Sequence, residues 1–164
     1  MTVATIGADG VLHHAGQRYR AALGKGGITG HKQEGDGGTP AGLLPLRRVL
    51  FRADRLPRPR AAVPVTPLAP NDGWCDDPGD AAYNRMVRLP HSARHETLWM
   101  AEAVYDLIGI LGWNDSPPEH GRGSAIFLHL ARPDYTPTKG CIALSRPDLL
   151  AVLAAGLTAI EVSA

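Results

Sequence analysis

A histidine and a cysteine carry the clearest chemistry in this chain. Ala125-Ile126-Phe127-Leu128-His129-Leu130 sets His129 inside a strand-like apolar run, and Gly140-Cys141 follows eleven residues later. A thiol attacks as its thiolate, and a free cysteine with a pKa of about 8.5 is mostly protonated at neutral pH. It therefore needs a proton acceptor, and His129 is the candidate base for Cys141. Acyl transfer also needs N–H donors for an oxyanion, which the backbone of a tight turn supplies without side chains in the way. Gly140 and Cys141 suit that role, and the order His before Cys is no obstacle, because such sites are defined by geometry. Taken singly, His129 reads as a hydrogen-bonded strand residue and Cys141 as a small buried hydrophobe beside Ile142. Gly140 directly before the thiol, Thr138 three before it, and His129 on a preceding strand together point to a catalytic cysteine.

The elements that must position this pair are short. Apolar or alternating runs occur at 2–6, 18–23, 43–51, 105–111 and 125–130, with Gly, Pro or Asp between them, and a last run spans 158–162. They predict strands of a mainly β domain. Two helices are expected to interrupt it. Ser92 to Ala103 has His95, Leu98, Trp99 and Ala103 at helical spacing. Ser145 to Ala155 has Ser145 as N-cap, Asp148 in the first turn, an apolar stripe of Leu149, Leu150 and Leu153, and Gly156 to close it. Residues 56–70 carry five prolines, so they predict an extended segment that is neither a helix nor a central strand. It reads as a stiff connection or as a lid or wall beside a substrate groove. Asn114 to Gly123 reads as a loop leading into the strand of His129.

Composition narrows the classes further. At 164 residues the chain suits a single domain with one real core, residues 1–164. Seventeen basic and sixteen acidic residues leave a net charge of +1, which argues against a nucleic-acid binder working through a general basic field. No apolar run reaches the roughly 18–20 residues of a spanning helix, and the N-terminal segment lacks the order of a secretory signal. No membrane insertion is expected. Nineteen Gly, fourteen Pro and 5% aromatic residues favour many short strands and turns over a helical bundle. Cys75 and Cys141 are too few for a disulfide framework, and a bond between them would consume the nucleophile.

Other clusters read as supports. Asn71 to Asp80 holds four aspartates but lacks the ligand rhythm of a calcium loop. A structured loop is expected there, with Trp74 packing near the site and the acids available to an amine-bearing substrate. Tyr83 and Arg85 follow as substrate-binding or supporting candidates, with surface packing as the alternative; Tyr105 and Asn114 are weaker candidates. His13, His14, His31, His91, His95 and His120 lack interpretable partners in the sequence, and no metal site is expected among them. Gly35-Asp36-Gly37-Gly38-Thr39-Pro40-Ala41-Gly42 lacks the Lys-Ser/Thr ending of a phosphate loop. It predicts a turn with Pro40 second and Gly42 fourth.

Gly26-Gly27-Ile28 with Lys32, the Gly35–Gly42 turn, His129, and Thr138-Lys139-Gly140-Cys141-Ile142-Ala143-Leu144 together resemble the L,D-transpeptidase (YkuD-type) family, which remodels bacterial peptidoglycan. The resemblance runs from about Arg20 to Leu150. It implies a single YkuD-like β-sandwich or barrel with one or two short helices. It also implies a Cys141 thioester made and resolved on stem peptides, with no metal or organic cofactor. Cys141, His129, Gly140 and Thr138 carry over position by position, with Lys32 and Asp36 as structural parts of the turn. The chain departs from the usual family signature in four ways. Leu130 replaces a glycine, Lys139 a second histidine and Ala143 an arginine, and the gap between the two motifs is short. Arg85, Arg88, Arg122 and Arg132 are the candidate substitutes for that arginine, and Lys139 keeps an oxyanion amide while adding an ammonium near the thiol. These departures and the proline-rich segment resemble a divergent branch that forms 1,3 crosslinks, with the segment as a gate over the donor groove; most members form 3,3 crosslinks. Thr138, Lys139, Tyr83, Arg85 and Trp74 are the expected substrate-binding residues. A monomer in the periplasm or envelope, acting on peptidoglycan stem peptides, is expected despite the missing signal. A 3,3 transpeptidase, a hydrolase on the same scaffold and a non-catalytic peptidoglycan-binding module are the alternatives.

Overall fold

Short runs of alternating apolar residues, separated by Gly and Pro, bury one strand face each and produce a strand-rich chain. In the computed structural model, which describes residues 2–164, β1 (Val3–Ile6), β2 (Val11–His14) and β3 (Gln17–Ala22) form an antiparallel meander. Ala15 and Gly16 turn β2 into β3 with φ of 50° and 78°, the paired left-handed geometry that suits a two-residue hairpin. Next come β4 (Ile28–Thr29), β5 (Thr39–Pro40), the long β6 (Gly42–Phe51), β7 (Val65–Pro67), β8 (Asp72–Cys75), β9 (Met86–Arg88) and β10 (His95–Thr97). The chain then forms β11 (Leu107–Leu111), β12 (Phe127–Leu130), β13 (Ile142–Leu144), α1 (Arg146–Ala154) and β14 (Ala159–Val162).

The main sheet runs β11-β12-β13-β3-β2-β1-β14-β6-β7, and β11 also pairs with β6, so the sheet closes on itself. Closure pairs β11 on both sides and leaves β7, bonded only to β6, as the remaining edge strand. The fold is mainly β, as the sequence leads one to expect. Most of its pairs are antiparallel, but β12 and β13 run parallel, with Leu128 opposite Ile142 and His129 opposite Ala143.

Alternation along these strands divides the buried residues between two cores. Leu128, Leu130, Ile142, Leu144, Leu107 and Leu111 join the helix residues Leu149, Val152 and Leu153 in the larger one. Phe127, Cys141, Ile108 and Ile110 point to the other face, into a second core with Trp74, Leu98, Val104 and Tyr105. The small sheet β10-β8-β9 backs this second core. α1 forms where its sequence signals place it: the Ser145 hydroxyl accepts from the Asp148 amide at 3.4 Å, and Gly156, with φ of 92°, lets the chain leave the helix.

Four expectations change. Ser92 to Ala103 is not a helix: residues 95–97 pair with β8, His95 opposite Cys75 and Glu96 opposite Trp74, so cross-strand bonding overrides helical spacing. Residues 72–75, within the expected aspartate-rich loop, are a fully buried central strand. In the glycine-rich turn, Pro40 belongs to β5, where the ladder uses the amides on either side of it: Thr39 donates to Gly27 and Ala41 to Thr29. The missing proline N–H therefore costs no bond. Finally, residues 56–70 lie beside β6, with β7 added to it in parallel and Ala61, Val63 and Val65 packed on the larger core. They form an extended edge, as their prolines require, and contribute no side chain to the lining of the cavity that contains Cys141.

Because Leu149 is fully buried where α1 meets the larger core, Leu149→Ala should lower the unfolding free energy by about 2–5 kcal/mol. Urea denaturation should show a reduced midpoint at unchanged slope.

Candidate active site

Strand alternation places Phe127 and His129 on the same face of β12, and the parallel register places Cys141, one residue before β13, on that face too. Cys141 Sγ lies against the backbone of the neighbouring strand, donating to the Ala125 carbonyl at 3.2 Å and accepting from the Phe127 amide at 3.3 Å. His129 Nδ1 lies 2.9 Å from the Leu130 carbonyl. A carbonyl only accepts, so Nδ1 carries the proton and Nε2 is left with the lone pair of a base. The Tyr105 ring packs edge-on against the imidazole at 5.4 Å and against Phe127 at 5.8 Å.

The turn before the thiol is clamped by Thr138. Its hydroxyl donates to the Cys141 carbonyl at 2.7 Å and accepts from the Gly140 amide at 3.1 Å. The Gly140 N–H expected to face an oxyanion is thus engaged within the turn, and the Thr138 hydroxyl proton is committed to the Cys141 carbonyl. Gly140 adopts φ of 137°, and a Cβ there would come within 2.8 Å of the Gly38 carbonyl, so glycine is required on both counts. The 35–42 segment packs against this turn backbone to backbone. Asp36 organises the segment, accepting from the Gly38 and Gln33 amides at 2.8 and 2.9 Å and from Lys32 Nζ at 2.6 Å. The structural role expected for Lys32 and Asp36 is visible here, yet Lys32 also lines the cavity.

A second support enters from the other side. Asn84, with φ of 56°, accepts from Trp74 Nε1 and from the Ala125 amide, each at 3.0 Å, and donates to the carbonyls of Trp113 and Asn114 at 2.8 Å. All four bonding positions of its amide are filled. This holds Ala125, itself at φ of 55°, so that its carbonyl faces the thiol.

Cys141 and His129 share a cavity of about 430 Å³ with Thr138 and Lys139. Lys25, Lys32 and Arg132 add positive charge to its walls; Glu34, Asp76 and Glu96 add negative charge. The other expected substrate-binding residues lie elsewhere. Trp74 is buried behind Phe127, with rings 5.1 Å apart and perpendicular. Tyr83 is buried, donating to Glu34 at 2.7 Å and accepting from the Gly123 amide at 3.0 Å. Arg85 is exposed and contributes no lining. Among the four arginines considered as carboxylate binders, Arg132 is the one that lines the cavity. Sequence reasoning missed Glu34, Glu96 and Asn84. Glu34 and Asn84 carry only the signal of adjoining a motif, and Glu96 was hidden by the misassigned helix.

Burial sets the resting charge. Desolvation, followed by the nearby Glu96 carboxylate, pushes the Cys141 thiol up to about 12. Desolvation lowers His129 to about 4. The thiol and the imidazole are therefore both neutral at rest. Burial also raises Glu96, against the lowering effect of the Tyr105 hydroxyl, which donates to it at 2.8 Å.

A family model of the L,D-transpeptidase catalytic domain (YkuD) matches residues 11–158, and the chain belongs to this family, whose members act on cell-wall peptidoglycan. No curated protein and no solved structure matches the chain. Among the described residues, no helix is long and apolar enough to cross a membrane.

The lowered His129 value has a measurable consequence for stability. The unfolded chain binds a proton at about pH 6.5, whereas folded His129 resists protonation down to about 4. Between these values the unfolded state holds more protons, so stability falls as pH falls through that window. Denaturation midpoints from pH 7 to 4 should decline more steeply in the native protein than in His129→Gln, which lacks this titration.

Proposed function

We propose that this domain is a peptidoglycan L,D-transpeptidase in which Cys141 is the nucleophile and His129 its base, and that it forms 1,3 crosslinks between stem peptides. The observation that carries this reading is a thiol and an imidazole, the latter with its Nε2 lone pair uncommitted by tautomer, lining one cavity of mixed charge. The thiol proton passes to His129 as Sγ bonds to the carbonyl carbon at an L centre of the donor stem. The C–N bond to the following D residue then breaks, and the imidazolium returns the proton to the departing amine. In the second half, an amine of the acceptor stem attacks the thioester, loses a proton to His129 and displaces the sulfur.

The turn's remaining amides, those of Lys139 and Cys141, serve the oxyanion, because Thr138 occupies that of Gly140. Stem peptides carry both carboxylates and free amines. The Lys25 and Lys139 side chains suit the former, and Glu34, Asp76 and Glu96 suit an acceptor ammonium before it sheds its proton. The 1,3 assignment rests on Lys139 and Ala143 standing where most relatives have histidine and arginine. Ala143 is 1% exposed, so carboxylate recognition from that position is absent and the donor is held differently. Action on the wall places the protein in the periplasm or envelope.

Incubation with purified muropeptides, followed by mass analysis of the products, tests the reading. Dimers joined through the first residue of the donor stem are expected, and Cys141→Ala should reduce them by about three orders of magnitude or more. Dimers joined through diaminopimelate would overturn the register, shortened monomers would mean hydrolysis, and crosslinking by Cys141→Ala would remove the nucleophile assignment.

A further inference from the structure

The second thiol has a chemical setting of its own, away from the Cys141 cavity. Cys75 ends β8 and is fully buried. Asp80 lies in the loop that follows, and His91 follows β9. Cys75 Sγ, a carboxylate oxygen of Asp80 and a ring nitrogen of His91 all lie within 4.8 Å of one another. The sulfur and His91 Nε2 converge on a single oxygen, Asp80 Oδ2, at 3.5 and 3.2 Å. His95 stands opposite Cys75 across the strand pair, its ring packs edge-on against that of His91 at 6.2 Å, and its Nδ1 is held by the Ala93 carbonyl at 2.8 Å.

We propose that Cys75, Asp80 and His91 form a binding site for one divalent transition-metal ion of the zinc type. The donor set is a thiolate, a carboxylate and an imidazole, the mixture that favours zinc over calcium or magnesium. Its charges sum to neutrality with a dication, which suits a buried sulfur; on binding, the thiol proton leaves to solvent and the S–metal bond replaces the S–H bond. The spacing also fits. With metal–sulfur bonds of about 2.3 Å and metal–nitrogen or metal–oxygen bonds of about 2.1 Å, tetrahedral donors stand about 3.4–3.6 Å apart. The S···O and N···O separations here are already close to those edges. His91 and Asp80 keep 20% and 26% of their side-chain surface exposed, which leaves a route in and a fourth position for water.

The site is structural in placement. Cys75 adjoins Asp76, and His95, packed on the His91 ring, adjoins Glu96; Asp76 and Glu96 both belong to the wall of the Cys141 cavity. An ion at this point ties the loop after β8 and the segment after β9 to the small sheet, and so fixes that acidic wall. No step of the thiol chemistry passes through it, so binding is measurable without turnover.

Cobalt(II) serves as the probe, in the full-length Cys141→Ala chain so that Cys75 is its single thiol. One equivalent should bind with a thiolate-to-cobalt charge-transfer band, and zinc should displace it. His91→Ala, a substitution at a partly exposed position, should weaken binding about 100-fold or more, and Cys75→Ser should abolish the band. Zinc should raise the thermal midpoint of the Cys141→Ala chain and leave that of His91→Ala unchanged. Absence of the band in the Cys141→Ala chain, or a band undiminished by His91→Ala in that background, overturns the proposal even if Cys75→Ser fails to fold.

Discussion

The parallel pairing of β12 with β13 is the constraint on which the candidate site depends. Parallel neighbours normally need a long crossover, often helical. Here residues 131–141 make the crossing without a helix, and the last residues of that connection are the Thr138–Cys141 turn. Leu128 opposite Ile142 fixes the register, so one face of the pair faces the larger core and the other presents Phe127, His129 and Cys141. A slip of one residue would send Cys141 into the larger core and leave Ile142 facing the cavity. Thr138, Gly140 and the 35–42 segment therefore act as register locks: their hydrogen bonds and close backbone contacts keep Cys141 one step before the strand.

The same packing that fixes the register controls the chemistry. Cys141 and His129 are each 7% exposed, and burial disfavours the thiolate as strongly as the imidazolium. A resting ion pair of the kind found in more open thiol sites is therefore suppressed. What remains is a neutral thiol that donates to the Ala125 carbonyl and a neutral imidazole of fixed tautomer, lining one cavity with charged groups around them. Lys32 lowers the thiol while Glu96 raises it, so a bound molecule that neutralises Glu96 shifts this balance toward thiolate.

Most of the framework was legible in the sequence because its signals are local. Ser145, Asp148 and Gly156 marked α1 almost to the residue, and the runs over 2–6, 43–51 and 125–130 became strands with small shifts at their ends. The failures share a cause. Asp72-Gly73-Trp74-Cys75 looked like a loop because aspartate and glycine are poor strand formers, and 92–103 looked helical by spacing. Each became a strand because the other was there to pair with it, a long-range fact that local propensity cannot carry. In the site, Cys141 and His129 could be named because both belong to a motif. Their neighbours Glu34, Asp76 and Glu96 come from three distant segments, joined only by the closed fold. Thr138, named as a substrate binder, lines the cavity while its hydroxyl also bonds within the turn.

The alanine two residues after the thiol has a geometric consequence for the charges of this cavity. Ala143 lies on the face of β13 that carries Cys141, opposite His129 on one side and Ala22 on the other. It is 1% exposed. A guanidinium at that position would have to displace its packed neighbours or stand beside the imidazole, where a like charge would depress His129 further. The positive groups of the cavity come from its rim instead. Lys32 is committed to Asp36, and Arg132 to Glu102 at 3.1 Å. Among the described residues, Lys25 and Lys139 form no ion pair, and both side chains are exposed. Recognition of a carboxylate under the proposed activity thus moves from a rigid strand to flexible lysine side chains flanking the glycine turn. Such point charges tolerate several carboxylate positions where an arginine fork would demand one. Under the proposed 1,3 activity, a change of donor register needs no new fold, only positive charge on the turn before β13 in place of β13 itself.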